Sequence, residues 1–231
     1  MKAPERGALP LGLAGTLGRT YGRLTETVQG LSDADFHRET RCAGMPVGPL
    51  LVHLLYDAQR ALIAFASPAV VEPDRDFVTY WRDSPPQPDG DTSFERSVAA
   101  AYRKPGLLVQ HWREVSEAAV RAAATGLATK GSRVETQGHV LRAGDFVATL
   151  VLEATVHHLD LIVGLPDAPE PDPEGLQVTA RTLDGLFGPE AWDVIAWDTT
   201  TYILKATGRL PLDEDDLTML GSHAHRLPLL G

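Results

Sequence analysis

The sequence predicts an all-α protein, a four-helix bundle with additional helices at its C-terminal end. Three observations predict it. Apolar residues recur at steps of three and four over long stretches, clusters of proline and glycine separate those stretches, and a single short segment alternates as strands do. With 231 residues, 43% of them hydrophobic, the chain can bury a full-sized core without covalent staples.

Leu13, Leu17, Tyr21, Leu24, Val28 and Leu31 place one apolar stripe on a first helix over residues 10–30, stopped at Gly30. Turn-forming residues follow, and Pro49 stands near the first turn of a second, antiparallel helix that carries the run LLVHLLYDAQRALIAFA. Residues 66–92 hold Pro68, Pro73, Pro85, Pro86 and Pro88, which predicts a loop and makes it the candidate mobile cover of the bundle. Thr92 and Glu95 have the spacing of a capping box, so a third helix is expected from there toward residue 124, kinked or split at Pro105 and Gly106. The segment SRVETQGHVLRAGD predicts a short extended pair around Gln137 and Gly138. Asp145 is expected to cap a fourth helix over residues 146–163, which is apolar almost all the way round and so buried on most sides. Gly164, Leu165 and Pro166 stop it. After a linker at residues 166–175, EGLQVTARTLDGLFG, WDVIAWDTTTYILKATG and residues 213–224 predict further helices. The domain expectation is a bundle over residues 1–165 and, over 166–231, a linker and a helical extension packed on it.

Composition excludes several classes. A net charge of −10, with 21 basic residues and no dense basic patch, argues against a nucleic-acid partner, because phosphate binding needs clustered cations. No stretch reaches the roughly 18 uncharged apolar residues of a membrane span, and the N-terminal segment is too charged for a signal peptide. A soluble, cytoplasmic protein is expected. The single cysteine, Cys42, rules out an intramolecular disulfide framework and a four-cysteine zinc site.

The chemistry gathers around Glu153. Its neighbours one turn away are Thr149, Leu150, Val156 and His157, and the sequence has no Lys or Arg between Arg142 and Arg181. An ionised carboxylate in such surroundings must pair, bind metal or take up a proton. His157, four residues on, points the same way, and an imidazole nitrogen with a carboxylate oxygen suits a zinc-like ion. A third donor must come from another helix. His53 stands in mid-helix among leucines and a valine, although spacing alone does not join it to the pair.

The stretch RCAGMPVGPLLVHLL, then LEATVHHLDL, then ATGRLPL and LPLL near the end, resembles the DinB-like superfamily, in particular the mycothiol-dependent maleylpyruvate isomerase family. The resemblance runs over almost the whole chain. It implies a DinB-like four-helix bundle holding a divalent metal, usually zinc, through a His on the second helix and a Glu-x-x-x-His on the fourth, here His53, Glu153 and His157. Met45 stands where family members usually carry Trp, so the substrate side of the site is expected to differ.

Other residues carry weaker signals. Asp160 is placed to accept the second ring proton of His157, as metal-bound histidines require. Tyr56, Asp57 and Arg60 continue the side of the second helix that His53 faces, and Tyr56 and Arg60 are the candidates for binding the cosubstrate. Arg209, in ATGRLP, is the candidate catalytic residue, since its planar fork suits a substrate carboxylate. His158 is read as a packing residue, His111 as a weak fourth-ligand candidate, His223 and His225 as a solvated pair, and Cys42 as structural.

The expectation is an enzyme that uses the metal and a small thiol, mycothiol by resemblance, to attack a small electrophile, as an S-transferase or a cis-trans isomerase. Its partners would be those two small molecules, with neither nucleic acid nor membrane, in a monomer or homodimer. Two alternatives stand beside it: a metal-dependent hydrolase, and a non-catalytic bundle that stores metal or binds a partner.

Overall fold

Four long helices carry the apolar stripes of the sequence to one core. They are α1 (Leu13–Val28), α2 (Val47–Ala66), α4 (Pro105–Ala128) and α5 (Ala143–Ile162), with a short α3 (Ser93–Ala101) lying on α2. This is a computed structural model, and it describes residues 9, 12–82, 92–165, 167–189 and 195–230. The first two helices each pack against α4 and α5, and the stripe residues Leu13, Leu17, Tyr21, Leu24 and Val28 are all buried. On α4 the Trp112 ring meets Tyr21 edge-on at 5.1 Å, and its Nε1 donates to Thr25 Oγ1 at 2.9 Å, so the aromatic is both buried and hydrogen-bonded. Phe65 of α2 lies so close to Gly126 of α4 that a Cβ there would stand 2.4 Å from its ring. Only glycine allows that approach.

α5 is covered on two sides. Phe146, Val147, Leu150, Val151, Ala154 and Leu161 belong to the bundle core, while Leu152, Val156 and Leu159 belong to a second cluster with Leu183, Tyr202, Ile203 and Ala206. That second cluster is supplied by α6 (Pro173–Phe187) and α7 (Thr199–Ala206), with α8 (Glu214–Leu220) and a 3-10 turn at Gly221–Arg226 following. Double cover explains why α5 lacks the polar stripe of a surface helix. Among the described residues no helix is long and apolar enough to cross a membrane.

The extended pair is a hairpin, β1 (Arg133–Thr136) against β2 (His139–Arg142), antiparallel with Arg133 opposite Arg142. Gln137 and Gly138 between them both have positive φ, 48° and 78°, as a tight hairpin turn requires.

The third helix is split at Pro105, as expected: Arg103 bends the chain with a φ of 56° and Pro105 begins a new helix. Three local expectations need correction. Thr92 precedes α3 but makes no side-chain cap; its hydroxyl donates instead to the Gly44 carbonyl at 3.1 Å. Asp145 lies inside the first turn of α5, which leaves β2 without a loop, and it meets the Phe77 backbone N–H. The helix expected over WDVIAWDTTTYILKATG begins only at Thr199, where Asp198 accepts from the Thr201 N–H, and residues 190–194 lie outside the described residues.

The described part of the proline-rich stretch is tied down. Ala69 N–H donates to the Arg133 carbonyl, Asp74 accepts from Val140 N–H and from His139, and Tyr80 donates to Gln137. Paired backbone and the partly buried rings of Phe77, Tyr80 and Trp81 hold residues 67–82 across the hairpin as a strap, and residues 83–91 of the stretch lie outside the described residues.

Candidate metal centre

His53 comes from the middle of α2, and Glu153 and His157 from the second half of α5, two antiparallel neighbours whose facing stripes leave room for polar groups at this level. The three can each offer one donor atom within 4.8 Å of the other two. Glu153 Oε2 is 3.1 Å from His157 Nε2 and 3.8 Å from His53 Nε2, and the two rings stand nearly perpendicular, 79°, with centroids 4.9 Å apart. The i, i+4 spacing on α5 does what the sequence implied. At 3.8 Å the contact from His53 is too long for a hydrogen bond. Its Nε2 is buried and has no hydrogen-bond partner.

His157 is caught between two acids. Its Nδ1 lies 3.0 Å from Asp160 Oδ2, on the side opposite Glu153, and Asp160 is fully buried. Burial works against charge on this ring, but hydrogen bonds to Asp160 and Glu153 overcome it and push the imidazole up to about 10. Burial likewise opposes charge on Glu153, yet the facing imidazoles of His157 and His53 hold it well below the usual carboxylate range. Asp160, despite burial, is held low by His157 and Arg209. A proton on Nε2 is one way to satisfy this geometry. A divalent cation among the three donors is another, and it would also use the lone pair of the orphaned His53 Nε2. The residues present therefore fit such an ion, with Asp160 fixing the ring of His157 from behind.

Glu153 departs from the sealed, dry setting that its sequence neighbours imply. About a quarter of its side chain, 26%, is exposed, as is 28% of His53, while His157 keeps only 8%. The cluster is therefore buried most deeply at His157 and less so at Glu153 and His53.

Arg209 reaches the site through an acid. Its Nε lies 3.3 Å from Asp160 Oδ1, and its Nη1 donates to the Thr207 carbonyl at 2.8 Å. Arg60 is half-exposed and holds Asp57 Oδ1 at 2.6 Å. Asp57, 5% exposed, turns its other oxygen toward His53 Nε2 at 3.5 Å, and burial raises its carboxyl. Each imidazole thus has a buried acid three or four residues further along its helix, and each acid has an arginine. The Tyr56 ring lies 5.4 Å from that of Phe94 on α3.

The remaining candidates lie where packing explains them. His158 is fully buried against Thr27 Oγ1 at 2.9 Å, with burial pulling it down to about 4. His111 pairs with the Tyr102 hydroxyl at 2.6 Å on the α3–α4 side, and His223 lies against Phe187. Cys42 is half-buried with its sulfur within 4.8 Å of donor atoms of His157 and Asp160, and burial raises its thiol. Sequence reasoning missed two residues. Arg41 ties the turn before α2 to the end of α5 through the Leu159 carbonyl, and Tyr80 approaches closely enough for Arg60 to act on its phenol. Neither has a spacing signal, because each arrives from a loop.

Comparison with curated proteins gives no match. Among solved structures, the crystal structure of the mycothiol-dependent maleylpyruvate isomerase aligns with 78% of this chain and 70% of its own, at 14% identity and a TM-score of 0.49. The family model of the mycothiol maleylpyruvate isomerase N-terminal domain matches residues 17–162, the stretch from α1 to α5 that contains His53, Glu153 and His157, and the chain belongs to that family.

Proposed function

We propose that this protein is a metal-dependent and thiol-dependent enzyme, with mycothiol as the thiol and zinc as the metal. It would transfer that thiol to a small electrophile or use it to isomerise one. His53, Glu153 and His157 would hold the ion, which when bound lowers the pKa of a thiol so that a strong nucleophile exists at neutral pH. The observation that carries the reading is the convergence of the three donors, with His53 Nε2 buried and unpartnered. Family membership supports the choice of thiol.

The chain's own residues supply orientation. Asp160 accepts from His157 Nδ1, which fixes the ring and leaves Nε2 turned toward Glu153. Arg209 stabilises the charge on Asp160. Arg60, anchored by Asp57, is the candidate cation for an anionic group on the cosubstrate or the electrophile. Met45 and Cys42, both packed against the bundle core, belong to the turn that leads into α2.

Calorimetric titration of mycothiol into the metal-loaded protein tests this reading. Binding by the wild type and its loss in Glu153→Ala is the expected result. Metal binding with no response to mycothiol or any other small thiol would turn the reading toward a hydrolase or a storage protein.

A further inference from the structure

We propose that a cavity between the starts of α2 and α4 binds a small carboxylate with an apolar body, at a site that shares no residue with the metal centre.

The cavity has a volume of about 320 Å³, at the lower end of the roughly 300–1,000 Å³ of small-molecule sites. Its floor is apolar. Phe36 from the 3-10 turn Asp35–His37, Pro49 from α2 and Leu108 from α4 line it, and all three are buried. Its rim carries charge of one sign: Arg96 of α3, with Arg103 and Lys104 in the bend before α4, are exposed there, and no carboxylate among the described residues lines the cavity. Arg96 donates only to neutral acceptors, the Gly44 carbonyl at 2.6 Å and the Thr92 hydroxyl at 3.2 Å. Among the described residues Arg103 and Lys104 enter no ion pair. Three positive charges thus stand unneutralised around one apolar hollow, in a chain whose net charge is −10. Both α2 and α4 start at this wall with neither a side-chain cap nor an acid in the first turn, so the positive ends of their dipoles add to the same field.

The competing explanation is a packing gap where α3, which buries no residue, rests loosely on α2, with cations placed there for solubility. Charge decides against it. Cations serving solubility would be dispersed among the acids that outnumber them, 31 to 21, whereas three gathered without an acid repel one another. A bound anion relieves that repulsion. The floor then sets its class. A bare phosphate would leave the apolar surface unfilled, and a neutral hydrocarbon would leave the cations without a counter-charge. The complement to both is one carboxylate on a compact hydrocarbon body, its head matched to the guanidinium forks of the rim.

The test uses the whole protein with hexanoate as the probe, and hexanol and inorganic phosphate as controls that each keep half of its chemistry. Amide shifts in NMR spectra report binding at Gly48, Ala99, Ala100 and Leu108, which line the cavity. Two variants accompany the wild type: the double change Arg103→Glu and Lys104→Glu reverses two exposed charges, and Ala100→Trp fills the cavity from its exposed wall without altering charge. Hexanoate should shift these amides saturably in the wild type, bind about tenfold or more weakly to the charge-reversed variant, and fail to bind Ala100→Trp. Hexanol binding as tightly as hexanoate would reduce the site to an apolar gap and overturn the proposal. So would phosphate binding as tightly, which would show an adventitious ion only. Absence of a saturable hexanoate shift in the wild type, or binding that survives both variants, would overturn it equally. Should circular dichroism show a variant to be unfolded, the comparison of the three probes on the wild type decides alone.

Discussion

The bundle and the C-terminal helices are stabilised by different means. The helices α1, α2, α4 and α5, of 16, 20, 24 and 20 residues, start without a single side-chain cap. The later helices α6, α7 and α8, of 15, 8 and 7 residues, all start on an aspartate that accepts a backbone N–H: Asp172, Asp198 and Asp213. The four bundle helices are long and held by packing along their length, whereas the C-terminal helices add a side-chain cap at each start, which satisfies a backbone donor locally. The last pair adds a buried ion pair, in which Lys205 donates to Asp216 while Asp216 also accepts from Trp197 and closes the capping box of α8. The bundle spends its buried polar groups differently, gathering them around His53, Glu153 and His157.

This contrast can be broken by substitution. The largest effect is expected at Glu153: Glu153→Ala should weaken divalent-metal binding at least about a hundredfold in a chelator competition, with the fold intact by circular dichroism. Asp160→Asn comes next, with a loss of about 10- to 100-fold, because the carboxylate that orients and polarises the ring of His157 becomes a neutral amide. Asp216→Ala should cost about 3 kcal/mol of stability by leaving buried Lys205 with only its longer contact to the exposed Asp213, while metal content stays at the wild-type level. Loss of metal in that variant would show that the two regions depend on each other through Arg209 and Asp160.

Acid should separate the regions too. Asp216, although burial opposes its charge, is held below its ordinary 3.8 by Lys205 and by the backbone of Asp213. Its folded pKa lies below its unfolded one, so its contribution is present above about pH 4 and is lost as pH falls through the lowered value. Trp197 stacks on Tyr202 and under Lys205, so its fluorescence should report this loss, and Asp216→Asn should flatten the profile. The smallest effect is expected at Asp198→Ala, about 1 kcal/mol in denaturant unfolding, from the loss of one cap.

What could be read from the sequence follows the same division. The bundle helices were legible because period and length agree, and the hairpin because Gln137 and Gly138 can take left-handed conformations between alternating runs. On α5, Glu153 and His157 meet because a spacing of four leaves no alternative on a helix. The turn of α2 that brings His53 opposite them depends on how two helices pack, which no local pattern encodes; there the family resemblance carried the expectation. Asp145 and Thr92 misled because an acid or hydroxyl before an apolar run looks like a cap, and only the tertiary partners Phe77 and Gly44 show where those groups bond. Tyr80 and Arg41 were invisible for a related reason, since a loop residue reaches a site through the path of the backbone.

Metal analysis of the protein purified without a histidine tag tests the central claim most directly. The wild type should carry about one divalent ion per chain, and Glu153→Ala should carry none. A wild-type chain that takes up no divalent ion, or a Glu153→Ala chain that keeps one, would contradict the assignment of this cluster as a metal centre.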